Sequence, residues 1–413
     1  MLLLLCASSA RAAPASGCVT SANCNWHGQC NASKLCACAP GWTGPSCAEV
    51  SWAAGGATIA FEDKLWTWGG SPIRGEDGLV HMFASELTND CGILHYCSNS
   101  RVIHLTASNP LGPFTFQGVA LSPRNPPAWD SGAVHGPTVH RIPGSDEYAL
   151  YYMGTSNTWD PANGTHPNCT SSYDAQQGSR ATRRIGVATS KSLSGPWLRR
   201  DAPIFGPGNA SAGDFDYTDV SNPTPILFQN GSVVLLYKGR GHVQTMGVAT
   251  APHFDGPFTR LAAPLALPYG VEDTWGWIES APAAANSANG ADGADRGRVE
   301  VLHVLAHSGN GATSAGAHGY STDGISWTWS SSPAYTGMVR WSNGSSSVLA
   351  RRERPQVLLT PASGERHGSS YGLPEVICTS AQALECPHDG GPGTTPCRTF
   401  TMCAAVAGSM QSR

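Results

Sequence analysis

Thr106-Ala-Ser-Asn-Pro-Leu-Gly-Pro-Phe114, Ala188-Thr-Ser-Lys-Ser-Leu-Ser-Gly-Pro-Trp197 and Ala249-Thr-Ala-Pro-His-Phe-Asp-Gly-Pro-Phe258 are three versions of one unit: a strand end of small residues, a polar turn, then Gly-Pro-aromatic. Tyr320-Ser-Thr-Asp-Gly-Ile-Ser-Trp327 is a looser fourth. Ahead of the copies stand pairs of strand-like runs joined by turn residues, such as Thr138 to Arg141 and Tyr148 to Met153 around Pro-Gly-Ser-Asp, or Pro225 to Phe228 and Val233 to Lys238 around Gln-Asn-Gly. Each unit therefore reads as a small antiparallel sheet. The Gly-Pro glycines at 112, 195 and 256 are 83 and 61 residues apart. A fixed local pattern separated by loops of varying length is how propeller blades read in a sequence. The units predict an all-β domain over 55–405, a five-bladed β-propeller with blades near 66–120, 133–203, 218–265, 272–335 and 349–403. A strand near Thr58 to Phe61 is expected to close the ring.

Composition agrees with this architecture. Only 13% of the 413 residues are charged, about half the usual share, while 48 glycines and 30 prolines favour turns and short strands over helices. The net charge of −4 comes without a long basic run, so nothing supplies the phosphate-neutralising surface of a nucleic-acid or anionic-membrane binder. Residues 1–12 form a short Leu-rich stretch ending in Ala10-Arg11-Ala12, which reads as a signal peptide without a basic lead-in. No later run reaches the roughly 18 apolar residues of a membrane span. Six Asn-x-Ser/Thr tripeptides, at Asn31, Asn163, Asn168, Asn209, Asn230 and Asn343, fit a secreted glycoprotein.

Cysteines 18, 24, 30, 36, 38 and 47 crowd into 30 residues with the spacing C-x5-C-x5-C-x5-C-x-C-x8-C. A segment too small for its own core needs that density of bridges, although spacing alone leaves 15 pairings open. With the closing Cys36-Ala-Cys-Ala-Pro-Gly-Trp-Thr-Gly-Pro-Ser-Cys47, residues 18–47 resemble an EGF-like module. The resemblance implies bridges Cys18 to Cys30, Cys24 to Cys36 and Cys38 to Cys47. It also implies a spacer or a surface for protein contacts. The acidic lead-in of the calcium-binding subtype is absent, since Ala15-Ser16-Gly17 precedes the first cysteine. Of the seven cysteines 91, 97, 169, 378, 386, 397 and 403, at least one must lack an intrachain partner if the others pair among themselves, and Cys378 with Cys403 is expected to staple the last blade.

In a propeller the first strand of every blade borders the central channel, so polar residues at those strand starts converge on one funnel. The starts read Trp66-Thr-Trp-Gly-Gly70, Asp130-Ser-Gly-Ala-Val-His-Gly-Pro137, Asp216-Tyr-Thr-Asp-Val-Ser-Asn-Pro223, Val271-Glu-Asp-Thr-Trp-Gly-Trp277 and Arg351-Arg-Glu-Arg-Pro355. Four of the five carry acids. Convergent carboxylates beside Trp and Arg suit sugar chemistry, in which one acid protonates a leaving oxygen, another activates water and indoles stack on sugar rings. The competing expectation is that such acids cap turns or pair with arginines. His303 and His307 share one side of a strand; His303 reads as a satisfied core histidine and His307 as reaching the funnel. His135 also stands at a blade start, without metal-ligand spacing around it.

The blade count, the Gly-Pro-Trp/Phe closures, Asp219-Val-Ser-Asn-Pro-Thr-Pro225 and Glu272-Asp273-Thr-Trp275 resemble the five-bladed propeller glycosidases of family 43 and its arabinanase-like relatives, over roughly residues 60–380. That family places a base Asp on the first blade, an orienting Asp on the second and an acid Glu on the third. Here the first blade begins Trp68-Gly69-Gly70 without an acid. Matching motif to motif gives Asp219 the orienting role and Glu272 the acid role, with Asp130 or Glu353 as candidates for the missing base. Asp273, Trp275, Arg354, His135, His307 and Trp68 are the expected substrate contacts. No cofactor or catalytic metal is expected, and a structural Ca2+ in the channel is left open. A sialidase-like propeller is the rival within enzymes, from His140-Arg-Ile-Pro143 and the Asp-box-like Ser321 to Trp327. The expected function is a secreted glycoside hydrolase with a carbohydrate partner; the alternative is a non-catalytic glycan-binding or adhesion protein.

Overall fold

The computed structural model describes residues 17–61, 65–156, 183–267, 270–282, 298–309, 315–383 and 398–408. The expected leader at 1–12 and nearly all of the Ala283 to Arg298 stretch lie outside them. Five antiparallel sheets radiate from a common axis. Their innermost strands are Thr67–Arg74, Ala133–Arg141, Asp219–Leu227, Val271–Pro282 and the second half of Ser346–Pro361. Each contacts the next around a closed ring, and the fifth returns to the first. Blades I to IV are four-stranded in sequence order.

The Gly-Pro-aromatic signature marks the turn between third and fourth strands. Gly112, Gly195 and Gly256 take φ of 86°, 84° and 104° there, a left-handed backbone that favours glycine. Short outer strands Thr115–Leu121, Leu198–Arg199 and Thr259–Arg260 follow. In blade IV the same turn is built by Asp323, whose Oδ1 accepts from Ile325 N at 2.8 Å and Ser326 N at 2.7 Å, so the Asp-box-like copy serves as a turn. Blade V is completed from the other end of the chain: Trp52–Ile59 pairs with Thr399–Val406, with Cys403 opposite Thr58. The closing strand thus starts earlier than the sequence suggested. Closure removes the free sheet edge that would otherwise invite aggregation.

The core lies between neighbouring blades. Ile73, Phe83 and Val102 of blade I pack on Val139, Leu150 and Tyr152 of blade II. Ile226, Leu236 and Val248 of blade III meet Ile278, Leu302 and Val304 of blade IV in the same way. Each such buried side chain contributes about 1.5–3 kcal/mol. The disulfide Cys378–Cys403 links the second and third strands of blade V. Cys91 is disulfide-bonded and Cys97 is a buried free thiol.

In the N-terminal module the three bridges are Cys18–Cys30, Cys24–Cys36 and Cys38–Cys47, as the resemblance implied. The module is seated on blades IV and V: Val50 N donates to Ala334 O at 2.8 Å, and Tyr320 Oη donates to Ala22 O at 3.2 Å. No helix among the described residues is long and apolar enough to cross a membrane.

Candidate active site

All five innermost strands carry the same irregularity. Pairing with the second strand slips between Trp68 and Ser71, His135 and Thr138, Ser221 and Thr224, Glu272 and Trp275, and Glu353 and Gln356. Inside each gap one residue adopts a left-handed backbone: Gly69 (φ 65°), Gly136 (62°), Asn222 (53°), Asp273 (56°) and Arg354 (48°). The bulge aims these five residues at the funnel. Three of them accept a backbone conformation costing about 1–3 kcal/mol, which is how a functional site commonly stores strain.

The ring's composition explains its packing. A Cβ on Gly69 would stand 2.9 Å from Arg354 Nε, and one on Gly136 would stand 2.7 Å from Arg354 Nη2. The two glycines are therefore the berth for the Arg354 side chain. Arg354 Nη1 reaches Asp273 Oδ1 at 3.4 Å, and Asp273 also accepts from Asn222 Nδ2.

Four of the residues immediately before the ring, Trp68, His135, Glu272 and Glu353, line a cavity of about 140 Å3 together with Asn222, Asp273 and Arg354. Beside it a cleft of about 490 Å3, within the range of small-ligand sites, shares Glu272 and is also lined by His307. His307 separates the two glutamates, with Nδ1 3.7 Å from Glu272 Oε1 and Nε2 3.7 Å from Glu353 Oε1. Neither nitrogen makes a hydrogen bond.

The glutamates are set oppositely. Burial tends to raise Glu272, but the Lys238 ammonium that donates to its Oε2, with His307 and Arg354, outweighs burial and holds the carboxyl down at about 2. Glu353 is more deeply buried, and there burial prevails over His307 and Arg351 and pushes its pKa up. Burial also raises Asp273 against the pull of Arg354.

Of the other residues singled out from the sequence, Asp219, Asp130 and Trp275 fall outside the cavity, and Trp68 and His135 border it from buried positions. Asp219 does not line the cavity; it holds Arg183 at 2.8 Å, and Arg183 in turn donates to Tyr96 Oη at 2.6 Å on the cavity wall. Asp130 lies off the funnel, fully buried, where it accepts from Arg124 Nε (2.6 Å), Tyr152 Oη (2.9 Å) and Arg199 Nη1 (3.0 Å). Blade III repeats the arrangement, with Asp216 bound by Tyr237 Oη at 2.8 Å and Arg260 Nε at 3.3 Å. A network built twice in equivalent places is a blade staple rather than a catalytic group. Trp275 offers no face to a sugar: it is 5% exposed and stacks on His140 across the channel at 6.1 Å, filling the space below the ring. Trp68 borders the cavity but is only 2% exposed. His135 donates to or accepts from Ser100 Oγ at 2.8 Å, and burial, with Arg354 and Arg183 nearby, depresses its pKa strongly.

Lys238, Arg183, Tyr96 and Asn222 were not anticipated. Asn222 was findable, because aligning the five strand starts on Gly70, Pro137, Pro223, Thr274 and Pro355 puts it in register with Asp273 and Arg354. Asp273, His307 and Glu353 offer ligand atoms within 4.8 Å of one another. Two carboxylates and an imidazole fall short of the six to eight oxygens Ca2+ takes, so the donor set does not fit a structural calcium held by protein ligands.

Comparisons with known proteins bear on the two parts separately. A family model described as a Teneurin-like EGF domain matches residues 20–50. No curated protein matches the sequence. Among solved structures, Zg3597, a family 117 glycoside hydrolase produced by the marine bacterium Zobellia galactanivorans, aligns with a TM-score of 0.56 at 15% identity, covering 86% of this chain and 91% of that one. The α-L-arabinofuranosidase PaAbf62A from Podospora anserina, in complex with cellotriose, aligns at 0.53 and 11%, covering 87% and 98%. The catalytic domain of a Coprinopsis cinerea family 62 α-L-arabinofuranosidase aligns at 0.52 and 11%, covering 86% and 96%. The large domain thus has the five-bladed propeller fold of these glycoside hydrolases, with an EGF-like module seated on it.

Proposed function

We propose that the funnel hydrolyses a glycosidic bond, with Glu353 as general acid and Glu272 as general base. One observation carries this reading: two carboxyls flank a single imidazole, one pushed up and one held down. Glu353, whose pKa burial raises although Arg351 Nη1 donates to its Oε1 at 3.0 Å, is the group placed to give a proton to the leaving oxygen, and Glu272 is ionised to take a proton from the attacking water. The sequence motif had suggested the acid role for Glu272, but an acid held near 2 has no proton to give at neutral pH. Two carboxyls separated by an imidazole's width suit an inverting displacement, which needs about 6.5–9.5 Å between them. Arg354, Asn222 and Asp273 position the sugar; Asp219 acts through Arg183. The disulfides suit an oxidising compartment, and we read the protein as secreted, acting on plant-type or algal polysaccharide.

The test is reducing-end release from a panel of such polysaccharides by wild type, Glu353→Gln and Glu272→Gln. Loss of turnover in both variants, with folding intact, supports the reading. Unimpaired cleavage by either sinks the assignment. A second reading, glycan binding without turnover, is favoured by Gly69 standing where the resemblance expects an acid. Glycan-array binding by a wild type that releases no reducing ends would establish it.

A further inference from the structure

Two hairpin turns are built alike. Phe228-Gln-Asn-Gly-Ser232 joins the first two strands of blade III, and Trp341-Ser-Asn-Gly-Ser345 joins Met338–Arg340 to the start of Ser346–Pro361 in blade V. In each, the aromatic residue's N–H donates to the serine carbonyl, at 2.9 Å from Phe228 and 2.8 Å from Trp341, and the glycine N–H donates back to the aromatic residue's carbonyl at 2.9 Å. The asparagine Oδ1 accepts from the serine two residues on: Asn230 from Ser232 N at 3.0 Å and Oγ at 2.6 Å, Asn343 from Ser345 N at 3.0 Å and Oγ at 2.7 Å. Both asparagines are exposed, and each turn occupies Oδ1 while leaving Nδ2 without a partner among the described residues. Both turns carry the Asn-x-Ser acceptor pattern.

What differs is the surface beside them. Trp341, Asn343 and Ser345 line a groove of about 840 Å3 between the closing strand of blade V, at Ile59, and the Gly-Pro-aromatic turn of blade I, at Pro113. The Asn343 turn is pinned over this groove, because Ser342 N donates to Ala57 O at 2.9 Å and Trp341 forms a bridge with Ala57. Ile59 is 43% exposed, and Trp341 is half-buried with its Nε1 held by Ser347 Oγ at 2.8 Å. The Asn230 turn borders only a smaller cavity of about 240 Å3, through Gln229.

We propose that Asn343 carries an N-linked glycan whose first sugars lie in this groove against Trp341 and Ile59, covering the joint where blade V closes on blade I. The proposal rests on export of the chain. In the attachment step Asn343 Nδ2 attacks the anomeric carbon of a lipid-pyrophosphate-linked oligosaccharide. The C–N bond forms, the C–O bond to pyrophosphate breaks, and Nδ2 gives up one proton as the lipid pyrophosphate leaves. Once the blade closes, the tether keeps the sugar at high local concentration beside the groove, so a weak contact suffices to hold it there. The C–H faces of sugar rings match an indole and an aliphatic side chain, and the exposed Ser342 and Thr115 offer hydroxyls at the rim.

The test expresses the full chain in a eukaryotic secretory host and reads occupancy of Asn230 and Asn343 by glycopeptide mass spectrometry. Release of each glycan by peptide-N-glycosidase is then timed on the folded protein, relative to the denatured chain. Both sites should be filled, and the Asn343 glycan should leave the folded protein about 3–10-fold more slowly than the Asn230 glycan, as one aromatic stack would give. Trp341→Ala should keep Asn343 filled and bring its release to the Asn230 rate. Because Trp341 also packs on Phe400, Ile59→Glu, a change at an exposed position, provides the independent reading. An exported chain with Asn343 bare overturns the proposal, as do equal release rates in wild type or slow release that survives both variants. A chain retained in the cell with no site filled overturns the export reading and this proposal together.

Discussion

Lys238→Met separates electrostatic control of Glu272 from mere packing. In the folded protein the carboxyl is carried from its ordinary 4.5 to about 2: burial works against ionisation, and Lys238, with His307 and Arg354, more than reverses it. That difference is worth about 3 kcal/mol of stability at neutral pH. A depressed carboxyl contributes stability that is fully present above its unfolded value and fades as pH falls towards its folded one. With Lys238 the largest of the groups that lower it, Lys238→Met should cost on the order of 3 kcal/mol at pH 7, roughly 1.4 kcal/mol at pH 3 and only about 0.4 kcal/mol at pH 2. Urea unfolding of both proteins across that range measures the difference directly. With the ammonium gone, burial is left opposed only by weaker partners, so Glu272 rises and the acid limb of kcat/KM moves to higher pH. An equal cost at pH 7 and pH 3, or one below about 1 kcal/mol at pH 7, would refute the reasoning.

Asp130→Asn should cost about 3 kcal/mol, because two arginines lose their buried partner, while turnover per folded molecule stays at the wild-type level; a denaturant titration beside an activity assay checks both. Gly136→Ala should lower turnover by displacing Arg354, whereas Gly144→Ala, at φ 70° with nothing within 4 Å, carries a similar backbone cost of about 1–2 kcal/mol and leaves the rate unchanged. Replacing Cys378 and Cys403 together by Ala opens a crosslink between residues 25 apart and should cost about 3.5 kcal/mol, read as a fall in Tm.

Much of the architecture was legible because it repeats. Three Gly-Pro-aromatic turns and two strand pairs sufficed to count blades, and six crowded cysteines sufficed for the module. The site was harder to read, because its members meet only in three dimensions. Glu272, Asp273, Glu353, Arg354, His135 and His307 do converge, since strand starts border the channel. Lys238 and Arg183 come from second and third strands or the run before them, where no local pattern distinguishes a funnel residue from a surface one. Asp130 misled for the opposite reason: it stands three residues before an innermost strand, like Asp216, but the chain turns there and points both carboxyls into their own blades. Trp275 misled through alternation, since the bulge at Asp273 and Thr274 resets which side of the strand faces the cavity.

The acid-free first blade looks like a defect only if each blade is read alone. The five bulges make five equivalent backbone positions, and what differs is the side chain each presents: none at Gly69 and Gly136, an amide at Asn222, a carboxylate at Asp273 and a guanidinium at Arg354. A cation that spans two neighbouring positions requires both to be glycine, because any Cβ there would collide with it. Leaving the acid off blade I is thus the condition for seating Arg354, and a carboxylate at position 69 would compete for the space the arginine occupies. The acids stand instead on blades IV and V, where Glu272, Asp273 and Glu353 line the same cavity as the guanidinium. Gly69→Asp should accordingly fail to restore a first-blade base and should instead expel Arg354, lowering turnover below that of the parent.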